Sequence, residues 1–169
     1  MRARHALSLA GGLGLIAAGL GAAGAPASAP GLALAQPAPG PSSLPGVPAP
    51  ARVIEELRAT LGRAIQRFEA RDLPGVLAHV SEEYRSGPLT KAAIRSQLTV
   101  MFQLYDATRV RVRIDEVRLR GEHAWIYSTG EAWGRLPFVG QWMTLFWWER
   151  EPEVARRENG VWRLYGAQQ

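Results

Sequence analysis

Tyr127, Thr129, Glu131 and Trp133 fall two residues apart in one apolar-rich run, so a β-strand there sets all four side chains on a single face. If that face is the concave one, the Glu131 carboxylate lies among aromatic rings and hydroxyls, and desolvation lifts its pKa towards that of a general base. The chemistry open to such a group is proton transfer on a hydrophobic substrate. The other candidate acids have structural explanations. Asp72 is placed to cap a helix, Asp106 sits at a helix end, and Asp115 and Glu116 fit a bulge or turn. Glu131 has a structural alternative too, as a carboxylate near a strand end that points to water or pairs with nearby Arg135.

Other chemistries find little support. His79 borders a helix and His123 lies beside a turn, and no His or Asp stands at the spacing that builds a metal site, so neither metal nor cofactor is expected. Ser128 lacks a nucleophile elbow. Glycine-rich stretches occur only in the N-terminal segment and in turns, which leaves no phosphate cradle. There are no cysteines, which excludes disulfides and thiol catalysis. The row Arg109, Arg111, Arg113 reads as a solvated strand face rather than an anion site. All six tryptophans fall in the same C-terminal region, and Trp147 and Trp148, being adjacent on a strand, cannot both enter one core. An exposed aromatic sheet face favours association, so a homodimer through the sheet is expected.

The elements that would position these residues follow from periodicity. Val53, Ile54, Leu57, Leu61, Ile65 and Phe68 recur at helical spacing from Ala51, with Glu55, Glu56, Arg58, Arg63 and Arg67 on the other face. Asp72 then caps a short second helix that ends by Tyr84, and Thr90 caps a third carrying Ile94, Leu98, Met101 and Phe102. Four strands are expected after them. The first alternates from Arg109 to Ile114, with Val117 and Leu119 out of phase unless a bulge near Asp115-Glu116 restores it. The second runs from His123 to Trp133 after a Gly121-Glu122 turn, the third from Val139 to Arg150 in a central place, and the fourth from Val161 to Tyr165 after a charged loop, Glu151 to Asn159.

Three helices followed by a curved antiparallel sheet resemble the nuclear transport factor 2-like cone, the superfamily of SnoaL-like cyclases and ketosteroid isomerase, over about residues 52 to 166. The segments that carry the resemblance are Phe68-Glu69-Ala70-Arg71-Asp72-Leu73 leading into Val76-Leu77-Ala78-His79-Val80-Ser81, then Gly121-Glu122-His123-Ala124-Trp125-Ile126, then Gly160-Val161-Trp162-Arg163-Leu164-Tyr165-Gly166. The resemblance implies an α+β cone whose first helix closes over the concave sheet face and leaves a cavity. The pocket residues expected on this basis are Phe68, Tyr84, Trp125, Thr129, Trp133 and Trp142. Isomerase chemistry in that superfamily uses a carboxylate base with a Tyr and a neutral acid as oxyanion donors, which points to Glu131 with Tyr127 here; no neutral acid completes the set.

The 169 residues suffice for one domain after the termini are removed. Arg2 and Arg4 precede an uncharged Leu-, Ala- and Gly-rich run to Ala35, the order of an export signal, with Ala33-Leu34-Ala35 as the favoured cleavage site. Its glycines, Pro26 and Pro30 leave too little apolar length for a stable membrane span of roughly 30 Å. Residues 36–50 read as a proline-rich tether, and residues 51–169 as the domain. Loss of the two leader arginines reduces the formal charge from +5 to 5 − 2 = +3. A mildly basic domain in the periplasm or outside the cell has no expected nucleic-acid partner. The expectation is an exported domain that binds a small apolar or amphipathic ligand or a protein partner, with proton-transfer catalysis as the alternative.

Overall fold

The computed structural model describes residues 46–167. The expected export segment, residues 1–35, and the expected tether as far as residue 45 lie outside the described residues. In chain order the elements are β1 (Val47–Pro48), α1 (Ala51–Glu69), α2 (Leu73–Leu77), β2 (Arg85–Ser86), β3 (Leu89–Thr90), α3 (Lys91–Leu104), β4 (Ala107–Arg120), β5 (His123–Arg135), β6 (Trp142–Glu158) and β7 (Val161–Leu164). The main sheet is antiparallel with strand order β1-β4-β5-β6-β7, and β2 and β3 form a small separate hairpin. The architecture is α+β, as expected.

Each helix ends where its side chains dictate. Arg71 adopts a left-handed φ of 57°, and the reversed chain lets Asp72 N donate to Arg67 O at 2.8 Å and Arg71 N to Phe68 O at 2.9 Å, which closes α1. Asp72 Oδ1 then accepts from Gly75 N at 2.9 Å to start α2, and Thr90 Oγ1 accepts from Ala93 N at 3.2 Å to start α3. α2 stops at Leu77 because the following backbone is recruited by β7: Leu164 N donates to His79 O at 2.9 Å and Ser81 N to Leu164 O at 2.8 Å. That parallel bridge brings His79 against the sheet.

Two bulges bend the sheet at one level. β4 shifts register between Ile114 and Glu116, where the out-of-phase Val117 and Leu119 require it, and β6 shifts opposite Ser128 and Gly130. A single hydroxyl ties both: Thr129 Oγ1 donates to Asp115 Oδ2 at 2.5 Å and accepts from Arg150 N at 3.0 Å, while Arg150 takes a φ of 47°. On the opposite face the Trp148 ring lies over Gly130, so close that a Cβ there would come within 2.4 Å of the ring and 2.5 Å of Arg111 O.

Three expectations need correction. Residues 47–48 form an edge strand paired to Leu119 and Arg118, so order starts before Ala51. The stretch Glu151 to Asn159 is not a loop, since β6 runs on to Glu158 and the hairpin turn is Asn159-Gly160, with φ values of 51° and 80°. Pro152 is tolerated there because β7 reaches only as far as Ala155 along β6, leaving no partner strand on that side. The central strand is β5, while β6 lies one place from the edge.

Replacing Gly130 by Ala is expected to destabilise the domain by about 1–3 kcal/mol, the usual range for overpacking. Urea unfolding measures it; an unchanged midpoint would contradict the close Trp148 contact.

Candidate functional site

α1 crosses the concave sheet face and leaves a cavity under it. Its floor is Val110, Val112 and Ile114 of β4, Ile126 and Ser128 of β5, and Phe146, Trp148, Glu153 and Ala155 of β6; its roof is Leu57, Leu61, Ala64, Ile65 and Phe68 of α1, and Trp162 and Leu164 close one side. The space is about 80 Å³ for the centres of water-sized molecules, enough for more than one water. Nearly all of the wall is hydrocarbon or indole. The polar residues in its lining are Thr60, His79, Ser128, Glu153 and Arg163, and Arg163 stands opposite Arg156 in the β6–β7 ladder with its guanidinium towards Glu158.

Glu153 stands out among them. Its residue is only 4% exposed, Oε1 accepts one weak bond from its neighbour Val154 N at 3.3 Å, and Oε2 has no hydrogen-bond partner among the described residues. No cation lies within 4 Å of it in that part of the chain. Burial without compensation pushes its pKa up to about 8, so the group is mainly a neutral acid at pH 7. Tyr84 packs behind it in the core, and its hydroxyl is held above the usual phenol range by burial and by the Glu153 charge. Ser128 Oγ accepts from Trp148 Nε1 at 3.0 Å, which locks the indole across the floor. His79 is held below its ordinary pKa, first by burial and then by Arg63, Arg67 and Arg163, so it is neutral at pH 7.

The residues singled out from the sequence divide between the two faces. Phe68 lines the cavity, and Tyr84 sits behind Glu153. Tyr127, Thr129, Glu131 and Trp133 do share a strand face, but it is the outer one: the inner residues of β5 are Ala124, Ile126 and Ser128. Placement of Glu131 and Tyr127 in the pocket is therefore corrected. Glu131 lies between Arg111 and the 68%-exposed Trp147 in neighbouring strands. Tyr127 is covered by Arg150, whose guanidinium lies 5.9 Å from its ring centre. Thr129 clasps the bulges, Trp133 is overlaid by Arg111 at 5.7 Å, Trp142 lies 4.5 Å from Arg109, and Trp125 pairs between Arg118 and Val154. Arg109 and Arg111 of the arginine row are thus stacked on tryptophans, while Arg113 pairs with Asp115 at 2.7 Å.

Glu153, Trp148, Trp162 and the α1 roof other than Phe68 are among the cavity residues to which no pocket role was given in advance. The signal for Glu153 was present in Asn159-Gly160, a strong hairpin turn that extends β6 backwards through residues 151–158. Among the described residues no three His, Asp or Glu side chains cluster to hold a metal, and no helix is long and apolar enough to cross a membrane.

No protein-family model and no curated protein sequence matches the chain. Solved structures do. A protein of the NTF2-like family from Streptomyces avermitilis superposes with a TM-score of 0.56 at 11% identity, over 69% of this chain and 94% of its own. The chain has the nuclear transport factor 2-like fold. A ketosteroid isomerase-like protein from Erwinia carotovora atroseptica superposes with a TM-score of 0.50 at 15% identity, over 69% of this chain and 93% of its own. Bdellovibrio bacteriovorus Bd1075 does so with 0.52 at 8% identity over 68% of this chain, and there the match spans only 40% of the other protein's length. At these identities the likeness is one of fold. Within the nuclear transport factor 2-like cone, the cavity under α1 and the acid in it are features of this chain's own residues.

The raised pKa makes a pH prediction. A carboxyl whose folded pKa of about 8 exceeds its ordinary 4.5 leaves stability intact below about pH 4.5 and removes it progressively as pH climbs towards 8. The full loss is on the order of a few kcal/mol. Thermal melts at about pH 5 and about pH 8 should show a fall in wild type that Glu153→Gln flattens; equal slopes would mean Glu153 is ionised in the folded state.

Proposed function

We propose that this chain is an exported domain that binds a small, mainly apolar molecule in the cone cavity, using Glu153 as its polar anchor and performing no chemistry of its own. The observation that carries this reading is a buried, uncompensated acid facing a mainly apolar cavity. A carboxyl that lacks partners is costly in a core, and a ligand oxygen or hydroxyl in hydrogen-bond reach offsets that cost. Export rests on the leader-like run to Ala35, with a mature chain from Gln36 in the periplasm or outside the cell. Self-association through the outer sheet face is part of the proposal, supported by exposed Trp147. Sedimentation of the mature chain as a monomer at micromolar concentration would remove that part.

Native mass spectrometry of the mature chain from its own source tests the binding. The expected result is a co-purifying small mass that Glu153→Leu loses, with the variant at least as stable as wild type because an unpaired acid is gone. A chain that is empty and takes up no apolar ligand would reject the reading.

A second reading, proton transfer on a hydrophobic substrate, is favoured by the same acid. A carboxyl with pKa near neutrality both accepts and donates a proton readily, and the fold is shared with a ketosteroid isomerase-like protein. Deuterium exchange next to the carbonyl of α-tetralone in D2O, present in wild type and absent in Glu153→Gln, would select catalysis. No exchange by a variant-sensitive ligand binder would leave binding alone.

A further inference from the structure

The tip of the β5–β6 hairpin is apolar and stands in water. Phe138 is fully exposed and Val139 is 72% exposed. The backbone there is a three-residue γ-turn, in which Val139 N donates to Pro137 O at 2.8 Å around a Phe138 φ of 69°. Gly and Asn suit that left-handed φ, and a bulky aromatic does not. Phe138 is therefore disfavoured by its local conformation and by its contact with water alike, and nothing it touches in the domain offsets either cost. Such a residue points to an occupant outside the domain.

The surroundings say what that occupant is. Residues 136–148 carry no charge. Met143, paired opposite Gly134, and Leu104, the last residue of α3, are also exposed at this end of the sheet, where Asp106 N donates to Arg135 O at 3.1 Å. At the base of the hairpin two guanidiniums share one ring: Arg109 lies 4.5 Å and Arg135 5.9 Å from the Trp142 centre. Arg71 reaches the same end by donating to Asp106 O at 3.2 Å. Two carboxylates oppose these three cations. Asp106 pairs with Arg135 at 2.8 Å, and Glu69 accepts from Val110 N at 3.1 Å. Among the described residues no carboxylate lies within 4 Å of the guanidinium of Arg71 or Arg109.

We propose that the 136–141 loop docks the domain on an anionic lipid surface, with Phe138 and Val139 entering the headgroup–acyl boundary and Arg109 and Arg135 meeting the phosphates on either side of Trp142. A lipid surface fits this tip better than a protein does. An aromatic side chain offers about 150–250 Å² and a valine less, short of the roughly 800 Å² per partner of a stable protein interface. A few inserted apolar side chains beside basic groups are sufficient for an interfacial anchor, and a tryptophan suits the headgroup level. The loop backbone is prepared for a drier layer as well. Leu136 N donates to Gln141 O at 2.9 Å and Gly140 N to Leu136 O at 3.0 Å, and Pro137 has no N–H, so few unpaired groups would enter. This surface is separate from the cavity under α1 and does not depend on what the cavity holds.

Flotation of the chain from Gln36, without the expected leader, tests the proposal with two vesicles: phosphatidylcholine alone, and phosphatidylcholine carrying about one-third phosphatidylglycerol. Wild type is expected to partition into the anionic vesicles about fivefold or more above the neutral ones at low salt, with the difference shrinking as salt is added. Phe138→Asn/Val139→Ser should lose about tenfold or more from both vesicles. The same variant should melt no lower than wild type, because Asn suits the turn and neither side chain is in the core. Arg109→Gln should lose about fivefold from the anionic vesicles alone. Wild type that floats with neither vesicle, or a double variant that floats as wild type does, overturns the proposal and returns the tip to a protein partner or to no partner. Equal flotation with both vesicles at low salt overturns the anionic assignment.

Discussion

The interaction on which this structure depends is the clasp made by the Thr129 hydroxyl, which holds a bulge in β4 and a bulge in β6 at the same level of the sheet. A bulge bends the sheet and also reverses which alternate residues face inward beyond it. In β4 the inner set passes from Val110, Val112 and Ile114 to Val117 and Leu119. In β6 it passes from Phe146 and Trp148 to Glu153 and Ala155. Without the second bulge, unbroken alternation from Trp148 would point Val154 inward and Glu153 outward. The acid is in the cavity because of a backbone irregularity two strands share.

Bending at this level also accounts for the tryptophan floor. Gly130 lacks the Cβ that would collide with the Trp148 ring, and Ser128 accepts the indole N–H, so a large aromatic lies flat across the bend with its one polar atom satisfied. α1 then closes the concavity with small and branched side chains, Ala64 and Ile65 between Leu61 and Phe68. The cone is therefore lined mainly by groups that favour an apolar guest, and among the described residues Oε2 of Glu153 is left without a hydrogen-bond partner.

The outer face follows different physics. There Arg109 and Arg111 of β4 lie over Trp142 of β6 and Trp133 of β5, each cation against an aromatic face, and the packing needs no enclosed core. Alternating arginine and aromatic residues are consistent with either face of such a sheet, which is why Trp133 and Trp142 resemble pocket residues in sequence while serving as surface platforms.

Local patterns in the chain determined the three helices, the caps at Asp72 and Thr90, the Gly121-Glu122 turn, the β4 bulge and the opposite placement of Trp147 and Trp148, because each depends on residues within a turn or two of one another. The α+β cone was legible for the same reason. The identity of the inner face was not. Period-two alternation shows that Tyr127, Thr129 and Glu131 lie together, but only the packing of α1 and the shared bulges decide that they lie outside and that Ile126, Ser128 and Glu153 lie inside. The place of His79 was equally hidden: it joins the cavity lining through the parallel bridge between Val80 and Leu164, elements far apart in the chain. Contacts between residues distant in the chain, with a register that one inserted residue inverts, set the site in three dimensions.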